Sequence, residues 1–119
     1  MVEISGCLIL KNGKILMTYR SDIEAWGVPQ GPRKKGELTS DAAERIAETV
    51  TGCSSSTSRY RRKLKTEFEI DGERFLWQPY SMEIDGEPEE AEWVPVDQLD
   101  SRELAPPLSS VAGEIEDKL

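Results

Sequence analysis

Asp41, Glu44 and Glu48 recur at helical spacing in "GELTSDAAERIAETVTGC" (36–53), with Glu37 just ahead of them. Carboxylates are the oxygen donors that a hard divalent cation such as Mg²⁺ prefers. Immediately upstream, Arg33, Lys34 and Lys35 form a basic run suited to an anionic phosphate, and Arg20 can add a further positive charge. Trp26, Trp77 and Tyr80 offer flat faces for a nucleobase. Each has an ordinary explanation too: solvated surface for the charges and core for the aromatics on strands. The sequence has no histidine, which excludes a Cys/His zinc site and a histidine general base.

The elements that would position these residues are legible. "EISGCLIL" and "KILMTYR" flank Asn12-Gly13, a strong hairpin signal. Residues 21–37 hold Pro29, Pro32 and three glycines and read as a long ordered loop. A helix follows, with Thr39 or Ser40 as cap. Ala42, Ala43, Ile46, Ala47 and Val50 form its apolar face, and Gly52 ends it. "SSSTS" (54–58) reads as a polar connector. From Arg59 the period changes to two: Tyr60, Leu64, Phe68 and Ile70 alternate with charged residues as one half-buried strand. Asp71-Gly72 turns it into "ERFLWQPYSMEI", and then come an acidic loop, the strand "AEWVPV" and a helical turn in "DQLDSREL". A last helix carries Val111, Ile115 and Leu119. This order predicts an α/β fold, a mixed sheet between helices, in a single domain over 1–119.

Composition narrows the function classes. The chain of 119 residues is 37% hydrophobic and 32% charged, with a net charge of −8. That balance disfavours nucleic acid as a partner. It is unevenly spread: "RYRRKLK" (59–65) holds five basic residues and "DGEPEEAE" (85–92) five acids. A solvated strand face and a solvated loop account for both, and a local phosphate-binding patch is the sharper alternative for the first. No apolar run is long enough to span a bilayer, and no signal peptide is evident. Cys7 and Cys53 lack metal-ligand spacing and read as reduced, buried thiols, so a cytoplasmic location is expected.

Gly31, Glu37, Arg45 and Gly52 fall at the spacings of G-x5-E-x7-R-E-U-x-E-E-x-G-U, where U is bulky and apolar. "WGVPQG" precedes this box and "EWVPVDQL" follows the later strands. Box and flanks together resemble the Nudix (MutT-like) family over nearly the whole chain. The resemblance implies a Nudix-type α/β/α sandwich. It also implies hydrolysis of nucleoside diphosphate-linked compounds, with box glutamates that bind Mg²⁺ or Mn²⁺ and activate water. This chain departs from the box where that chemistry resides. Ile46 stands for the glutamate after the arginine, and Thr49 and Val50 stand for the glutamate pair.

Isoleucine and valine offer a hard cation no donor, so no metal site is predicted. Gly31, Glu37, Arg45 and Gly52 are read as structural remnants. Asp41, Glu44 and Glu48 lie nearly opposite the 46/49/50 stripe, on what reads as a solvated helix face. Three readings follow. The first is a non-catalytic or weakly active binder of a nucleotide-like or phosphorylated ligand. The second is a hydrolase dependent on Mg²⁺ or Mn²⁺ that uses non-standard carboxylates such as Glu37 or Glu48, or an acid from Glu87, Glu89, Glu90 and Glu92. The third is a nucleic-acid-associated module using 59–65. Many members of the family form dimers, which leaves a homodimer open.

Overall fold

The computed structural model describes residues 1–88 and 91–118. Glu89, Glu90 and Leu119, named above, lie outside the described residues.

Two long strands form the middle of a mixed sheet. The first, β1 (Val2–Lys11), turns through Asn12-Gly13 into β2 (Lys14–Arg20). Asn12 and Gly13 have φ of 53° and 73°, the left-handed pair that a tight hairpin with the native strand twist requires. Two short strands, β3 (Ala25–Gly27) and β4 (Gln30–Pro32), occupy part of the segment expected to be loop. They form because β3 extends β2, while β4 completes the edge of β1 that β2 leaves open.

After helix α1 (Thr39–Thr51) comes β5 (Ser54–Tyr60). The serines expected to be a connector are therefore a strand, recruited by the far half of a long partner, β7 (Glu73–Asp85). The near half of β7 pairs with β6 (Thr66–Ile70). One continuous strand from Arg59 to Ile70 is thus replaced by two strands around a 3-10 turn at Arg62–Leu64. Leu64 drives the break: it is 2% exposed and plugs the core, whereas Ile70 is left exposed. The chain closes with β8 (Glu92–Pro95), a 3-10 segment (Val96–Ser101) and helix α2 (Leu108–Lys118). β1 and β7 pair in parallel, Val2 to Ile9 against Phe75 to Met82, and the neighbouring pairings are antiparallel.

Alternation along β1 and β7 divides the core in two. Ile4, Leu8 and Trp77 face α2, where they meet Leu108, Val111 and Ile115. Cys7, Ile9, Tyr80 and Met82 face α1 and its alanines. The sheet between helices expected from the order of elements is the observed architecture. Each fully buried Leu or Ile contributes about 1.5–3 kcal/mol from removal of apolar area from water.

Helix α1 differs in two details from its reading in sequence. Leu38, whose side chain has no polar atom, occupies the N-cap without a side-chain bond to the helix, and the Thr39 hydroxyl is engaged instead with Tyr80 Oη at 2.6 Å. Val50 is 45% exposed, and Thr51 is buried instead. The C-terminus is closed by Gly52 at φ 71°, donating its N–H to Glu48 O at 2.8 Å. No helix among the described residues is long and apolar enough to cross a membrane.

Candidate functional site

The loop between β4 and α1 is clasped to the helix by one ion pair. Arg45 Nε donates to Glu37 Oε2 and Nη2 to Oε1, both at 3.0 Å. The same Nη2 reaches Pro32 O at 3.1 Å, and the Lys34 N–H donates to Glu37 Oε1 at 2.9 Å. The Arg45 guanidinium, followed by the Lys34 N–H, holds the Glu37 carboxyl down at about 2. Glu37 is ionised and committed.

Beside the clasp lies a cleft of about 400 Å³. Its floor is Ile46, 8% exposed and so close under Gly31 that a Cβ there would come within 3.2 Å of Ile46 Cδ1. Thr49 and Val50 form one wall, and Gln30, Pro32 and Lys34 contribute the other. Thr49 Oγ1 donates to Arg45 O at 2.9 Å, so its proton is spent on the helix backbone. The positions where the box pattern has glutamates therefore do share one cleft, and the cleft is mainly apolar.

The other acids lead away from it. Glu48 Oε2 accepts from the Ser55 N–H at 3.1 Å, and Glu44 Oε2 accepts from Thr57 Oγ1 at 2.8 Å. Ser55 Oγ also donates to Glu44 O at 3.1 Å. These bonds fasten β5 to α1, so Glu44 and Glu48 also dock the strand, while Asp41 and Glu48 are exposed and Glu44 is half-buried on that face. Glu48 as a catalytic carboxylate would have to abandon them. Glu87 is ion-paired with Lys11, and Glu92 receives both Nη atoms of Arg102 at 2.8 and 3.0 Å.

The Mg²⁺ or Mn²⁺ that the box resemblance implies does not fit this donor set. Ile46 and Val50 have no donor atom, Thr49 has one hydroxyl, and Glu37 is bound to Arg45. Among the described residues, no group of three or more His, Cys, Asp and Glu is placed to hold a metal ion.

The expected ligand-facing residues are only partly brought together. Arg33, Lys34 and Lys35 line one open cleft of about 490 Å³ with Glu3, and Arg33 and Lys34 also line the box cleft, whereas Arg20 and the aromatics lie elsewhere. Arg20 pairs with Asp22 at 2.8 Å. Arg33 pairs with Glu3 and also donates to Glu37 O at 3.3 Å. Lys34 and Lys35 are exposed, and Lys34 sits on the rim of the box cleft. Trp77 is wholly buried between β1 and α2 and has no face for a base, because the interior was the larger apolar surface available to it. Tyr80 is 7% exposed and lies against Tyr60 at 5.0 Å. Trp26 is half-buried, with the Arg102 guanidinium 4.9 Å above its ring and Tyr19 at its edge. The reading from sequence missed Arg102. It sits in a segment read only as a helical turn, and nothing local signals that it covers a tryptophan 76 positions away.

Solved structures with this fold cover nearly the whole chain. The E. coli ORF135 protein is 20% identical with a TM-score of 0.83, over 95% of this chain and 86% of that one. A NUDIX hydrolase from Nitrosomonas europaea is 17% identical with a TM-score of 0.79, over 98% and 88%. The MutT protein from Methanosarcina mazei Go1 is 17% identical with a TM-score of 0.77, over 99% and 96%. At these identities the likeness is one of fold. No protein-family model matches the sequence, and neither does any curated protein.

Proposed function

Since the chain has the Nudix fold, we propose that it is a single-domain cytoplasmic protein that binds a nucleotide-like or phosphorylated ligand at the box cleft without hydrolysing it. One observation carries this reading: Ile46 and Val50 line the cleft where metal-binding carboxylates would be needed, and the neighbouring Glu37 is held by Arg45. Cleavage of a diphosphate linkage at neutral pH needs its charge neutralised and water activated. A cleft without a donor set cannot hold the metal that would activate water. It can still bind. Ile46 and Val50 offer an apolar surface, and Lys34 at the rim offers a cation for a phosphate. Fold persists when site chemistry changes, because function resides in the site and not in the scaffold.

The test is Mn²⁺ titration of ¹⁵N-labelled protein, followed by broadening of amide signals. The expected result is no saturable broadening centred on 31–52 below several millimolar metal. Saturable broadening there, with metal-dependent cleavage of a nucleoside diphosphate-linked compound that Glu37→Gln abolishes, would establish a hydrolase and overturn the reading.

A further inference from the structure

The cations least explained by the box cleft converge at the junction of β5 and β6. Here the chain is held rigidly. The Arg61 N–H donates to Pro79 O at 2.9 Å, the Leu64 N–H donates to Arg61 O at 3.0 Å, and Leu64 is anchored in the core. Arg59, Tyr60, Arg61, Arg62, Lys63 and Leu64 line a cleft of about 360 Å³. Arg61 as a residue is half-buried, and its guanidinium is oriented by Nε donating to Ser81 Oγ at 2.5 Å. Burial, and then the charge of Arg59, pull its pKa below the ordinary value.

With 23 acidic against 15 basic residues, carboxylates are in excess. Lys11, Arg20, Arg33, Arg45, Arg74 and Arg102 each have one as an ion-pair partner. Arg59, Arg61, Arg62 and Lys63 have none among the described residues. The same is true of the exposed Lys14, Lys34, Lys35 and Lys65, but the first four line one cleft with no acid among its lining residues. Four like charges around one cleft repel, and an anion seated between them relieves that repulsion.

We propose that this cleft is a second anion site, taking a small ligand with a di- or triphosphate chain, and that Arg59, Arg62 and Lys63 neutralise the chain while Arg61 is positioned for it by Ser81. Charge sets the class. A phosphate monoester carries about −1.5 to −2 at neutral pH, too little for four cations, whereas a linked chain carries more. Size agrees, since small-ligand clefts span roughly 300–1,000 Å³. A long nucleic acid would leave the cleft and meet the remainder of a chain with net charge −8, which repels it. The inference goes beyond the proposed function, which concerns the box cleft on α1.

The probe is inorganic tripolyphosphate, titrated into the ¹⁵N-labelled full chain, with affinities measured by calorimetry. Amide shifts should centre on 59–64 and Ser81. Arg59→Gln/Arg62→Gln/Lys63→Gln changes exposed side chains only and should weaken binding by about tenfold or more, as expected for loss of several charge-assisted bonds. Lys14→Gln, which removes an exposed cation outside both clefts, should bind as wild type does. Shifts centred on 33–36, no saturable shift, or equal affinity in the triple variant would overturn the inference. So would orthophosphate binding as tightly as tripolyphosphate, or a single-stranded oligonucleotide binding more tightly than either. The wild-type shift map alone decides location if the triple variant proves unstable. The Mn²⁺ titration of the box is read separately, so failure of one proposal leaves the other standing.

Discussion

Arg45 grips both carboxylate oxygens of Glu37 at 3.0 Å, closing the β4–α1 loop onto its helix. The box glutamate that survives in this chain is thereby a structural partner. Its side chain is 18% exposed and that of Arg45 33%.

That pair makes stability depend on acid in a defined window. The folded Glu37 carboxyl titrates at about 2, below its ordinary 4.5. A depressed carboxylate contributes stability that is fully present above the unfolded value and is lost as pH falls toward the folded one. Denaturant unfolding of wild type and Glu37→Gln should therefore differ most above pH 4.5 and converge as pH falls toward 2. A constant difference across that window would show that the clasp is not the source.

Restoring carboxylates at the cleft should restore metal. Thr49 and Val50 are exposed, so Thr49→Glu/Val50→Glu can be accommodated without repacking. Mn²⁺ should then broaden amides near 45–52 saturably, a response not expected of wild type. Failure of the variant to bind would mean that the helix does not aim these two positions at one point.

Gly6 is needed for the buried tryptophan. A Cβ at Gly6 would lie 2.4 Å from Trp77 Nε1, and Trp77 is fully buried. Gly6→Ala should lower stability by about 1–3 kcal/mol, the usual cost of overpacking. The measurements are denaturant unfolding and near-UV circular dichroism, in which the tryptophan signal should change.

The two thiols should differ in reactivity. Burial pushes the Cys7 thiol up to about 12, and its Sγ donates to Ala43 O at 3.2 Å. Cys53, expected to be buried, is only half-buried. In native protein at pH 8, iodoacetamide should modify Cys53 first, and Cys7 should react only on unfolding. Mass spectrometry of peptides from a timed reaction distinguishes the two.

The local architecture was legible because its causes are local. Asn12-Gly13 and Asp71-Gly72 require left-handed backbone at the turns, and Gly52 requires it at the helix end. The spacing from Gly31 to Gly52 sets the helix register, so the side chains at 46, 49 and 50 were already assigned to one stripe. β5 was not legible. A serine-rich run has weak strand preference, and it becomes a strand because β7 is long enough to hold both β5 and β6.

The identity of the box residues, and with it the absence of donors at Ile46 and Val50, is a property of the sequence alone. So is the excess of acid over base. The destinations of the charged side chains were decided by the tertiary structure. Glu48 turns to Ser55, Arg102 covers Trp26, and the cations from Arg59 to Lys63 gather around one cleft while other arginines find acids. Long flexible charged side chains have many partners within reach, and only the packing of sheet against helix selects among them.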